Sequence, residues 1–426
     1  MAYALSMAEL LTDPFTALPN LYRRFGPVSA VGAGPLRSVF LLGPEANRFL
    51  FANADLFRWR EAFEPLVPVD GETALIVSDG ADHQRRRKLV QPAFHRAQIA
   101  GYVRTMAAEA DRVIDGWRPG AEVDLYQEFR RAIRRTTIRV LFGERLAADE
   151  PVVGRQLQVA LDLLDQNPIL QPVRRFLPSY RRAIEARARV ESAVRAEIER
   201  RRTEDGDGSD VLTLLVHGRG ENGSGLSDVE IVDQVISLIA AGYETTSAAM
   251  AWQFRALLLD SGHWRRVRDE LPGDVSAEDL PRLSYLDGVV NETLRLFPPA
   301  AISVRWSARE FSFAGRRIPA GTQILLSPYV THRLPEIWPD PLRFDPPRWD
   351  PDRPGYRKPA PHEFLPFGGG PHRCIGSTFA TTELKVMLTR LVRRTSLRLL
   401  TTEATPTGLA AMRPKEGVPV RVLGVA

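Results

Sequence analysis

The sequence predicts a mainly α fold with a minor β part (α+β). Three observations lead there. Helical periodicity dominates the first 300 residues. One apolar helix, opened by its own capping box at Ser227, runs to about Ser261. Short strand-like runs separated by turn residues gather between Ala301 and Leu326.

The elements follow in order. "AELLTDPFTALPNLYRRFG" reads as helix, turn, helix, with Asp13-Pro14 as the break. "RSVFLLG" and "ALIVSDG" read as short strands. Long arginine-rich amphipathic helices fill roughly residues 97–145 and 174–203. Between them "LLDQNPILQPVRRFLPSY" is broken by Pro168, Pro172 and Pro178 yet stays apolar, which suits either a mobile lid or a plain helix connection. "RRTEDGDGSD" and "HGRGENGSG" are polar glycine-rich loops. In Ser227-Asp228-Val229-Glu230 the serine oxygen can accept from the amide three residues on while Glu230 reaches back. The helix that follows is expected to stop at Gly262. At 1.5 Å per residue it is a rod of about 50 Å, long enough to cross the molecule. "RLPEIWPDPLRFDPPRWDPDRPG" is irregular but aromatic, so it should pack as an ordered meander. A helix from about Ser377 to Arg394 and a few short strands finish the chain.

Composition narrows the function. The 426 residues suffice to bury a large core around a ligand cavity. A single cysteine excludes an intrachain disulfide and any site built from four cysteines. The N-terminus lacks a basic stretch followed by a long apolar run. No segment reaches about 18 apolar residues without charge, so no membrane anchor is expected and the cytoplasm follows by default. The richest apolar stretch, Val229 to Leu259, carries Asp233, Glu244 and Arg255 and reads as a buried helix. Net charge is +5, and only four of the 57 basic residues are lysine. The charge is dispersed, with no basic tail or basic–aromatic repeat, so nucleic acid is not the expected partner.

The single cysteine stands in "FLPFGGGPHRCIG". A lone cysteine is usually a small buried apolar side chain. Here Gly368, Gly369 and Gly370 let backbone approach something flat, and Gly376 permits close contact just after Cys374. A helix starts at Ser377, so its first N–H groups, with His372 and Arg373, favour thiolate at Cys374. A thiolate with no second sulfur suits one axial position on a metal already held by something else, and haem iron is such a metal.

Phe367-Gly-Gly-Gly370-Pro-His372-Arg-Cys374-Ile-Gly376 resembles the haem-binding loop of the cytochrome P-450 monooxygenases. The resemblance makes Cys374 the iron ligand of haem b (iron protoporphyrin IX), sets Phe367 near its sulfur and gives His372 a haem propionate. Ala241-Gly242-Tyr243-Glu244-Thr245-Thr246 resembles the family's acid–alcohol segment on the long helix. Glu244 would relay protons and Thr245 would hydrogen-bond oxygen, with Ala241 and Gly242 leaving room beside the haem and Ser237 on the same helix face. Taken alone, Glu244 could equally be an exposed helix residue. Glu292-x-x-Arg295 in "NETLRLFPP", joined by Arg348, resembles the buried brace behind the cysteine loop. His83 and Arg87 share a helix face, four residues apart. The resemblance assigns both to haem propionates, with Arg305 as a further partner. Arg85 and Lys88 are left for an acidic redox partner.

Matching motifs from His83 to Gly376 must meet at one cofactor, so residues 1–426 are expected to form one domain. The expected activity is oxygenation of an apolar small molecule by O2. No flavin- or ferredoxin-like segment follows Ala426, so electrons are expected from a separate ferredoxin and ferredoxin reductase. A monomer is expected. Pocket candidates are Phe63–Val69, Asn167–Leu177, Ala300–Ser303 and Thr407–Leu409. Two other readings stay open: a peroxide-driven haem-thiolate peroxygenase, and a haem-based gas sensor or carrier.

Overall fold

The computed structural model describes residues 9–32, 37–163, 174–203, 210–219, 223–273 and 275–426. Most of the expected lid, residues 164–173, lies outside them. Helix α1 (Pro14–Phe25) follows the Asp13 break, where the aspartate side chain accepts from Thr16 N. Strands β1 (Val28–Val31) and β2 (Ser38–Leu41) pair antiparallel, and β3 (Phe57–Arg58) comes after a helix over Pro44–Ala52.

"ALIVSDG" is not a strand. Leu75–Val77 forms one 3-10 turn, because its polar groups are claimed elsewhere. Leu75 N donates to the Gln234 side chain at 2.8 Å, and Ser78 Oγ to Ala74 O at 2.7 Å. The expected helical stretch at 97–145 is two helices with a short strand between them. After α2 (Gly80–Val90), α3 (Arg96–Asp115) stops, β4 (Glu122–Asp124) intervenes, and α4 (Leu125–Phe142) resumes. Gly120, at φ +89°, makes the turn and donates its N–H to Val422 O.

Helix α5 (Pro178–Thr203) leads to α6 (Asp228–Leu259), whose capping box forms as expected. Glu230 accepts from Ser227 N at 2.9 Å while Ser227 Oγ accepts from Glu230 N. The helix ends at Leu259 rather than Gly262. Asp260 caps a new helix there, its side chain accepting from Gly262 N. Most of α6 is buried, and it lies against α4. A Cβ on Gly242 would sit 3.1 Å from Thr137 Cγ2, so this glycine serves helix packing rather than the expected opening.

Beyond α7 (Ser284–Leu296) come β5 (Ser303–Ser307), β6 (Phe311–Phe313), β7 (Arg316–Ile318) and β8 (Gln323–Leu326), matching the expected strand region. The aromatic meander packs: Trp338, Trp349 and Phe364 contact one another. Helix α8 (Ser377–Arg394) precedes β9 (Thr395–Leu399), β10 (Pro406–Thr407), β11 (Arg413–Pro414) and β12 (Pro419–Val425). The larger sheet has the order β1-β2-β8-β5-β3, with only β2 and β8 parallel. A second sheet runs β4-β12-β9. Among the described residues no helix is long and apolar enough to cross a membrane.

Candidate functional site

The glycines before Cys374 have separate tasks. Gly368 and Gly370 take φ of +65° and +67°, where L side chains are strained. Gly369 lies so close to Phe51 that a Cβ would come within 2.6 Å of its ring. Cys374 N donates to Phe367 O at 2.9 Å, which closes the loop just before α8. Cys374 itself stays accessible to solvent. The protein packed around it nevertheless pushes its thiol up, against the Gly376 N–H and the charges of Arg87 and Arg373. The helix donors are present, but desolvation outweighs them.

The structure brings His83, Arg87, Arg305 and His372 to the same region. The His83 and His372 rings are 4.0 Å apart. Trp59 stacks on His372 at 4.0 Å and on Phe63 at 4.3 Å, and the Arg305 guanidinium lies 3.8 Å over the Trp59 ring. Arg305 reaches there from β5, held by Ser303 Oγ and Val304 O. Burial lowers the pKa of all four basic groups, to about 4 for His83 and about 9 for Arg305. Asp79 is the carboxylate among them, 3.6 Å from His372. Though burial opposes it, His372 and the Trp59 and Gly80 N–H groups hold Asp79 well below the usual range. Neither Trp59 nor Asp79 was singled out in the sequence. Only the helix start at Gly80, which Asp79 caps, could have pointed to the latter.

On α6, Ala241 is exposed and Thr245 half-exposed, although the turns on either side are largely buried. Thr245 Oγ1 donates to Ala241 O at 2.8 Å, and Thr246 and Ser247 likewise bond the carbonyls of Gly242 and Tyr243. Glu244 is not free: Arg130 of α4 binds its carboxylate. That arginine also lies 5.6 Å over Tyr126 and 5.8 Å over Tyr243. The basic face of α2 is likewise engaged. Arg85 and Arg86 both pair with Glu230, so Arg85 is not left for an outside partner.

Behind the cysteine loop, Glu292 and Arg295 are fully buried. Arg295 donates to both Glu292 oxygens at 2.7 and 2.8 Å, and Arg348 Nε adds a contact at 3.3 Å. His332, which the sequence did not flag, carries this brace forward. Its Nδ1 lies 3.1 Å from Arg295 O and its Nε2 accepts from Leu365 N at 3.0 Å. Burial lowers its pKa to about 3, so the ring is neutral and can accept.

A family model described as Cytochrome P450 matches residues 4–418. The chain belongs to the cytochrome P450 family. It is 50% identical to "Putative cytochrome P450 139" of Mycobacterium tuberculosis, covering 95% of this chain and 97% of that one. It is 34% identical to "Cyclooctat-9-en-7-ol 5-monooxygenase" of Streptomyces melanosporofaciens, over 88% and 83% of the two chains. Among solved structures, "Retinoic acid bound cyanobacterial CYP120A1" superposes with a TM-score of 0.89 at 28% identity, over 99% and 96% of the chains.

Membership in the P450 family implies an oxidoreductase with a haem, O2, an electron donor and an organic substrate. The residues fit a haem on structural grounds. Among the described residues no three His, Cys, Asp or Glu side chains come together as a metal site. Arg87 and Arg305 bring positive charge to this region with one nearby carboxylate, Asp79, and the His83 and His372 rings can donate hydrogen bonds, which suits the two propionates of a haem. The iron would overturn the raised thiol pKa by its own charge.

Proposed function

We propose that the chain is a single-domain haem-thiolate monooxygenase that binds haem b, accepts electrons from a ferredoxin and its reductase, and oxygenates an apolar terpenoid. The observation that carries this reading is the cluster of His83, Arg87, Arg305 and His372 beside the Cys374 loop. Cys374 would ligate the iron, and the four bases would hold the propionates. Haem supplies the activation of O2, in which two electrons and two protons send one oxygen atom into a C–H bond or alkene and the other into water.

The remaining tasks fall to side chains. Thr245 offers a hydroxyl at the opening beside Ala241. Glu244 is the proton source, gated by Arg130, and must leave that ion pair to reach inward. Phe63 and its neighbours in residues 63–69, with 300–303 and 407–409, would line the substrate pocket and keep water from the reacting atoms. The terpenoid class rests on two names: a relative named for a cyclic unsaturated alcohol and a neighbour holding retinoic acid. The Glu244–Arg130 pair gives a second reading some support, since a peroxide-driven peroxygenase has no need of a free Glu244.

Thr245→Ala tests the proposal. The variant should keep the substrate-induced spectral shift while NAD(P)H oxidation, supported by ferredoxin and reductase, yields hydrogen peroxide instead of product. Coupling equal to that of the unmodified enzyme removes Thr245 from the mechanism. Turnover with hydrogen peroxide but none with ferredoxin selects the second reading.

A further inference from the structure

Strand β1 is one of the two edge strands of the five-stranded sheet. Leu42 N donates to Pro27 O, so the groups of Pro27, Ser29 and Val31 face β2, Pro27 as an acceptor only. Val28 and Ala30 must then direct their N–H and C=O groups away from the sheet. That edge faces a groove of about 520 Å³. Leu21 and Phe25 from the end of α1 and Arg316 of β7 line it as well. Val28, Val39 and Ile318 form an apolar floor.

The charge in the groove is one-sided. Arg24, Arg37, Arg316 and Arg317 line it, and no carboxylate does. Arg317 pairs with Glu310 at 2.7 Å. Arg24 lies 5.2 Å over the Phe25 ring. Arg24, Arg37 and Arg316 are exposed and form no ion pair among the described residues. β1 is three strand positions, or about 14 Å, from the β5 strand that carries Arg305. The groove is therefore separate from the haem residues.

We propose that this groove is a docking site for an extended acidic segment of a partner protein, added as a strand to β1. An unpaired edge supplies main-chain bonds along its length, which an extended chain alone can match in register. Alternate side chains of that strand would reach the apolar floor, and acidic ones would meet Arg24, Arg37 and Arg316. The rival is that the arginines merely guard the edge, as charged side chains do on many exposed strands.

Fluorescence anisotropy on the haem-loaded chain distinguishes them. The probe is a fluorescein-labelled heptapeptide of alternating Glu and Val. Saturable binding with a Kd below about 1 mM is expected. The double variant Arg24→Glu/Arg316→Glu should bind at least about tenfold more weakly with an unchanged carbonyl spectrum. The same peptide, N-methylated at alternate residues, should also lose about tenfold against the unmodified protein, with no change to the fold in question. Absence of saturable binding means the arginines only guard the edge and overturns the proposal. Equal binding of the N-methylated peptide reduces the contact to charge alone and also overturns it. Binding to phosphatidylglycerol vesicles without peptide binding assigns the patch to an anionic membrane instead.

Discussion

Glu292 offers the sharpest test of how the fold supports the haem loop. Its carboxylate accepts five hydrogen bonds: two from Arg295, one from Arg348 Nε, and one each from Asp345 N and Trp349 Nε1 at 3.0 Å. Arg295 has no solvent exposure, and its other bonds go to the carbonyls of His332, Pro341 and Arg343. Glu292→Ala therefore strands a guanidinium among neutral acceptors. Removing one partner of a buried pair costs about 3–5 kcal/mol. A whole domain has about 5–15 kcal/mol to lose. The damage should travel along His332 to Leu365, two residues before the Phe367 carbonyl that binds Cys374 N. We expect a large fall in the urea midpoint together with loss of haem and of the red-shifted carbonyl Soret band. Arg348→Ala should cost only about 1 kcal/mol, because its bond is long and its side chain is partly solvated. A Glu292→Ala protein within about 1 kcal/mol of the original and fully loaded with haem would refute the reasoning.

Three further outcomes are expected elsewhere in the fold. Burial raises Asp70 to about 7, with Arg187 pulling it down and the Asp233 carboxylate pushing it up. The folded chain thus holds a proton that the unfolded chain releases near pH 4. The stability this contributes is complete below that pH and is lost as pH rises through about 7, for a total of about 4 kcal/mol. Asp70→Asn should flatten the stability profile between about pH 5 and 8, and equal slopes for the two proteins would rule the effect out. Gly369→Ala should displace Phe51 and cost about 1–3 kcal/mol in urea unfolding of the haem-free protein. Gly376→Ala meets nothing closer than Phe94 at 3.9 Å, so it should leave that stability unchanged and weaken only haem binding. A haem-binding constant unaltered in Gly376→Ala would show that no close contact is made there.

The sequence was most readable where chemistry depends on short spacings. His83 and Arg87 one helical turn apart, the Cys374 loop, and the Ser227 capping box all formed as local patterns require. It was least readable where a distant element decides the outcome. "ALIVSDG" has strand composition, yet Gln234, 159 residues away, takes the Leu75 N–H. Glu244 had no visible partner because Arg130 lies 114 residues earlier in the chain. His332 as a neutral link and Trp59 as the ring between Arg305 and His372 depend on tertiary packing, which no window of sequence contains.

The Thr245 hydroxyl hydrogen is already spent on the Ala241 carbonyl. What this side chain turns toward the open space is lone pairs. A visitor needing a donor there must wait for the C–O bond to swing away, whereas one arriving with its own proton is received at once.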